Sequence, residues 1–185
     1  MYKIRICVEV NSNDWNSDLK KSNYSTYLQT TENLKISSNG NTFPIFISIL
    51  DEKDVVVGQL GMLIIKTSVQ YGGALFQKLS KISSRISTRG VWLYGPIIHT
   101  ENKMERIEIL RMILKANNEI VDKYNLVFIE GYSAPLDISL CDNEIKEYKK
   151  YGYHSRKYVT FITDLKNPIE DIWENVQKYT KKNVN

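Results

Sequence analysis

Residues 24–35 read YSTYLQTTENLK, a stretch that starts as extended chain and turns helical at Thr31-Glu32-Asn33-Leu34-Lys35. Two tyrosines and three threonines lie in it, between an alternating run upstream and a strongly apolar run downstream. Short polar side chains such as Gln29 and Thr30 at the start of a helix satisfy backbone groups that the helix leaves unpaired. The elements on either side decide what such a segment packs against.

Upstream, KIRICVEV (3–10) places Ile4, Ile6, Val8 and Val10 on one side and Lys3, Arg5, Cys7 and Glu9 on the other, the pattern of a half-buried strand. NDWNSDLKK (13–21) reads as a short helix with Asn13 or Asp14 as its cap. Downstream, SSNGNT (37–42) closes the second short helix. FPIFISIL (43–50) and DVVVGQLGMLIIK (54–66) are apolar strands joined through the polar DEKD (51–54), a hairpin. Gly58 and Gly61 within the second strand mark a bulge or a close backbone approach.

Further on, LFQKLSKISSRI (75–86) has helical spacing through Leu75, Leu79, Ile82 and Ile86. VWLYGP (91–96) is a strand running into a Gly95-Pro96 turn. MERIEILRMILKANNEIVDKY (104–124) is the longest periodic segment, with Ile107, Leu110, Leu114, Val121 and Tyr124 as its apolar stripe. LVFIEG (126–131) reads as a buried strand, and NEIKEYKKYG (143–152) as a helix ended by Gly152. YHSRKYVTFITDL (153–165) reads as a long strand. NPIEDIWENVQKYTKK (167–182) reads as a helix with Asn167 as cap, Pro168 at the first position and Glu170 in a capping box. The alternation of elements implies an α/β fold, a mixed central β-sheet with flanking helices.

The 185 residues, 42% hydrophobic and 25% charged, suffice for one domain with a genuine core. No run approaches the roughly 18 apolar residues of a membrane span, and the alternating N-terminus does not form the apolar core of a signal peptide. Cys7 and Cys141 suggest no disulfide framework, which fits a cytoplasmic protein. Residues 146–185 carry nine Lys/Arg against five Asp/Glu, so this end holds the whole net charge of +4. A solvated helix face explains that bias. RNA binding through it is an alternative that predicts strong salt dependence.

Chemistry-bearing motifs are sparse. Only His99 and His154 are available to pair with a cysteine, and no spacing resembles a metal site. No GxxxxGK[ST] or GxGxxG is present, and the glycine pair in QYGGALF (70–76) reads as a turn. Glu130 ends the strand 126–131. Burial there would favour its protonated form and make it a minor candidate for a catalytic proton acceptor.

Four stretches, in order, resemble the FemAB-like aminoacyltransferases of the wider GNAT-like superfamily. YLQTTENLK (27–35) resembles their F-x-Q-T/S-x-E-W opening helix, and FPIFISILDEKDVVVGQLGMLI (43–64) is similar to their first hairpin. LYGPII (93–98) resembles their Gly-Gly-Pro or Arg-Gly-Pro turn. The run 146–184 resembles their closing pattern of a Gly-Tyr turn, a strand ending in Asp-Leu and a basic helix carrying Trp173. Thr31 and Asn33 stand where that family has tryptophans, and His99 stands at an acidic position.

The resemblance implies a GNAT-like domain over 1–166 and a helix over 167–185 leading towards a second, missing GNAT-like half. It implies transfer of an acyl or aminoacyl group to an amine acceptor, with Lys35, Tyr94 and His99 as substrate-binding residues. The co-substrate of the complete enzyme would be acyl-CoA or aminoacyl-tRNA. Partners would be the amine acceptor, a second GNAT-like half or a homodimer, and, less directly, tRNA. GNAT enzymes bind the donor pyrophosphate through backbone amides of a [QR]xxGx[GA] turn. The corresponding turn here is YGPIIHTENK (94–103), where Pro96 lacks an N–H. The alternative is therefore a non-catalytic binding or assembly module that keeps the fold without a donor site.

Overall fold

The computed structural model describes residues 2–66, 88–134 and 142–156. The helix read over 75–86, the glycine pair at 72–73, Cys141, the strand read over 153–165 from residue 157 onward and the helix read over 167–182 lie outside the described residues.

Strands β1 (Lys3–Cys7), β2 (Thr42–Leu50), β3 (Val56–Lys66), β4 (Thr88–Trp92), β5 (Ile97–Ile98) and β6 (Phe128–Gly131) form one sheet in the order β1-β2-β3-β4-β6, with β5 also on β3. All pairs are antiparallel except β4 with β6, which run parallel in the register Arg89↔Phe128 to Trp92↔Gly131. The hairpin forms where its apolar runs place it. Asp51 Oδ1 closes its turn by accepting from Lys53 N and Val55 N at 2.8 and 2.9 Å.

Helices cover both faces of the sheet. On one face lies α3 (Lys103–Tyr124), flanked by α4 (Asp142–Lys150). Its Ile109, Ile113 and Ile120 pack on Ile45, Ile47, Ile49, Leu60, Met62 and Ile64. On the other lie α1 (Ser12–Leu19) and α2 (Thr31–Ile36), whose Trp15, Leu19 and Leu34 pack with Phe46 and Ile97. Gly58 lets α3 close onto β3, since a Cβ there would lie 2.6 Å from Ile109 Cγ2. This is the close-approach reading of that glycine.

Three local expectations are corrected. The α1 cap is Asn11, whose side chain accepts from Asn13 N and Asp14 N, because the strand ends at Cys7 and the helix starts earlier. The buried face of α3 is broader than its apolar stripe. Arg106, Ile109, Ile113, Ala116, Asn117 and Ile120 are buried, whereas Ile107, Val121 and Tyr124 are only half-buried. The cause is α4 and the residues after it, which cover the flank and partner the polar residues: Arg106 bonds Glu144, and Asn117 bonds Tyr153. Strand β6 is not buried. It ends the sheet among the described residues, with Val127 and Phe128 59% and 47% exposed.

Candidate functional site at the ends of the parallel strands

Strands β4 and β5 share one edge of β3 and leave a gap between them. β4 pairs with residues 63–66 of β3, and β5 pairs with residues 58–59. The side chain of Gln29 fills this gap. Its Oε1 accepts from Gly61 N at 2.7 Å, and its Nε2 donates to Gly61 O at 3.2 Å and to Leu93 O at 2.7 Å. A fully buried amide thus replaces a missing ladder residue and uses both donors. Glycines make the space: a Cβ on Gly61 would lie 2.4 Å from Leu34 Cδ1, and one on Gly95 would lie 3.1 Å from Gln29 Nε2.

Leu93 opens the turn that joins β4 to β5, and the turn is held at every step. Gly95 N donates to Tyr132 O at 3.0 Å, and Trp92 Nε1 donates to Gly95 O at 3.0 Å. The Gly95–Pro96 peptide is cis, and Tyr94 has φ 53°, a left-handed conformation unusual for a residue with a side chain. Surrounding bonds that over-determine a backbone keep such a residue in place. Tyr94 packs against the Trp15–Phe46 cluster on the α1 face.

A second buried amide works on the same face. Gln59 Nε2 donates to Trp15 O at 3.3 Å, so its Oε1 faces His99 Nε2 at 3.1 Å. Trp15 Nε1 in turn donates to Gln29 O at 2.9 Å. The two ends of the turn, Leu93 and His99, are therefore tied through Gln29, Trp15 and Gln59 to the start of α1. Burial holds the His99 imidazole below its usual pKa, Asp18 opposes this and Lys21 adds to it.

The opposite face of the turn meets α3 and α4. Arg106 and Glu144 form an ion pair at 3.0 Å with side chains 2% and 4% exposed. Arg106 also donates to Tyr24 Oη at 3.2 Å, and Tyr24 Oη donates to Glu101 at 3.2 Å. A cavity of about 10 Å³, room for about one water, lies between Gly95, Pro96, Arg106, Ser133, Glu144 and Tyr148. It sits beyond the carboxyl ends of β4 and β6, where open sheets with parallel strands place their ligands.

Sequence reasoning assigned Tyr94 and His99 to one place, and the structure puts both on the turn, on the α1 face. Lys35 is elsewhere: its Nζ donates to Ser12 Oγ at 3.0 Å. Ser12 begins α1 whereas Asp18, the residue nearest in charge to His99, is near its end, about 9 Å further along the helix. Glu130 is corrected: it is exposed and pairs with Arg89 on the neighbouring strand at 3.3 Å, so the burial that made it a candidate base is absent. Arg106, Glu144, Gln29 and Gln59 were not singled out as site groups. Most of their side-chain partners lie 32 to 82 residues away, and only an unexplained polar residue inside an apolar pattern signals them.

At the start of α3 the backbone amides are already taken. Asn102 Oδ1 accepts from Met104 N at 3.0 Å and Glu105 N at 3.3 Å, and Glu105 receives Thr100 Oγ1 at 2.7 Å. A carboxylate in the first turn suits the helix dipole and competes with any phosphate there.

No protein family matches the chain by sequence, and no curated protein matches it. Among solved structures, a Pyrococcus furiosus protein provisionally designated an acetyl transferase is 16% identical at TM-score 0.50, over 89% of this chain and 100% of that one. The aminoglycoside 6′-N-acetyltransferase AAC(6′)-Ih from Acinetobacter baumannii is 11% identical at TM-score 0.48, over 89% and 98%. The glucosamine-6-phosphate N-acetyltransferase from Arabidopsis thaliana is 10% identical at TM-score 0.47, over 89% and 99%. The fold is α/β and GNAT-like, a mixed central sheet with helices on both faces.

Proposed function

We propose that this chain is an acyltransferase domain that transfers an acyl or aminoacyl group to an amine. In this reading it is the N-terminal half of a FemAB-type protein and shapes the acceptor site. The observation that carries the reading is the turn 93–99 at the end of a parallel strand pair, fixed on one side by Gln29 and Gln59 and bordered on the other by the buried Arg106–Glu144 pair. The GNAT-like sheet and the Pyrococcus relative support it at the level of fold.

In such a site Tyr94 and His99 would contact the acceptor. Lys35, at the other end of α1, would attract an anionic part of a larger acceptor. The small cavity beyond the strand ends is bordered by Arg106, Ser133 and Tyr148, whose guanidinium and hydroxyl groups are of the type that stabilises a developing oxyanion as the amine attacks the acyl carbonyl. The donor would be acyl-CoA or aminoacyl-tRNA, in the cytoplasm, with a second GNAT-like half or a second copy completing the machinery.

The capped and acidic start of α3 favours a second reading, a binding or assembly module without a donor site. Thermal unfolding with acyl-CoA and with an aminoacyl-tRNA mimic separates the two. A donor at roughly 100 times its dissociation constant stabilises the folded state by about 2.7 kcal/mol. Stabilisation by either donor, with consumption of donor when a primary amine is added, supports transfer. Stabilisation by neither supports the module.

A further inference from the structure

We propose that His99 is a proton-operated latch on the turn between β4 and β5: neutral, it closes the turn through Gln59 and Trp15, and protonated, it releases it. This goes beyond acyl transfer and holds whatever the turn binds.

Gln59 Nε2 is committed to Trp15 O, so Gln59 Oε1 is an acceptor and His99 Nε2 must carry the hydrogen between them. His99 Nδ1 then holds the lone pair. That atom is shut off from solvent and has no hydrogen-bond partner among the described residues.

Protonation puts a buried N–H and a positive charge at Nδ1, where no group among the described residues accepts the hydrogen. The charged groups that face the ring are Asp18 and Lys21, from the end of α1 and the residues after it. Asp18 would be the natural partner of an imidazolium, but Lys21 Nζ already binds its Oδ1 at 2.5 Å. The neighbouring β3 supplies only Gln59 and the backbone of Val57, which accepts from His99 N at 2.9 Å. Burial lowers the His99 pKa in keeping with this geometry. The charged ring gains most by leaving its position, and Gln59 then loses its partner and its grip on the far end of the turn.

The test is amide hydrogen exchange of the full chain at pH 7.5 and pH 5.5, corrected for the intrinsic pH dependence of exchange. The reporters are the His99 and Gly95 amides, with Ile47 in β2 as the internal reference. The expected result is a loss of protection at His99 and Gly95 on acidification, approaching about tenfold at pH 5.5, since a released imidazole titrates near its ordinary value of about 6.5. Ile47 should be unchanged, and the loss should be absent in His99→Gln. Gln59→Leu, which keeps the histidine but removes its acceptor, should loosen the same two amides already at pH 7.5. The proposal is overturned if His99→Gln shows the same acid response, if Ile47 loses protection equally, or if Gln59→Leu leaves the turn protected at pH 7.5.

Discussion

The side-chain amide of Gln29 pairs with both the N–H and the C=O of Gly61, thirty-two residues away, and so completes the β-ladder where β4 and β5 part. A third bond, to Leu93 O, fixes the first residue of the candidate turn. Gln29→Leu strands the buried N–H and C=O of Gly61 and removes a partner from the more exposed Leu93 O. Each buried orphan costs about 1–3 kcal/mol, so an overall loss of about 2–5 kcal/mol is expected. The check is a lower denaturation midpoint at unchanged slope. A loss below about 0.5 kcal/mol, the range of an ordinary surface change, would show that the clamp is not what holds the gap.

Gly61 has its partner in space in Leu34, whose Cδ1 would lie 2.4 Å from an added Cβ. Gly61→Ala is expected to cost about 1–3 kcal/mol through overpacking. Leu34→Ala removes the obstructing methyl groups, so the double variant should lose less than the two single losses combined. Simple additivity would place the strain elsewhere.

Much of this architecture was legible beforehand. The hairpin was readable because both strands are nearly continuous apolar runs around an Asp-rich turn, and Gly152 was readable because its φ of 84° does end α4. The turn to helix at Thr31 was readable from the short polar residues before it, and capping by Thr30 is seen, with Asn33 N donating to Thr30 Oγ1 at 3.4 Å. Gln29 is different. It serves the sheet and not the helix, because its partners are distant backbone groups that leave no periodic trace. The burial expected for Glu130 failed for a related reason: an apolar run such as LVFIEG does not itself show how far neighbouring elements cover the strand.

The Arg106–Glu144 pair should behave as a unit. Arg106→Met alone takes the charged partner at 3.0 Å from the buried Glu144 carboxylate and is expected to cost about 3–5 kcal/mol. Arg106→Met with Glu144→Leu should recover most of that loss, since a packed apolar pair is often as stable as a buried ion pair. A double variant as unstable as the single one would mean that the bonds from Arg106 to Tyr24 and Thr100 carry the stability instead.

Glu147 and Tyr153 each contribute to one limb of the pH–stability curve, beside His99 on the acid side and Tyr2, also raised to about 12, on the alkaline side. The Arg111 and Lys150 side chains hold the Glu147 carboxyl down at about 2 from 4.5, so its contribution is complete above about pH 4.5 and disappears as pH falls towards 2. Burial raises the Tyr153 hydroxyl from 10 to about 12, so folding binds the proton more tightly and stability declines as pH rises from about 10 to 12. Glu147→Gln should flatten the acid limb of a urea-midpoint profile, and Tyr153→Phe the alkaline limb. An unchanged limb in either variant would assign that slope to other groups.

Where a donor or an amine acceptor binds can be read directly by amide exchange of the full chain with acyl-CoA, with an aminoacyl-tRNA mimic and with each plus a primary amine. New protection is expected on the turn 93–99 and at the start of α3 around Arg106. Protection confined to other surfaces, or none with any of these ligands, would contradict the placement of the site at the ends of β4 and β6.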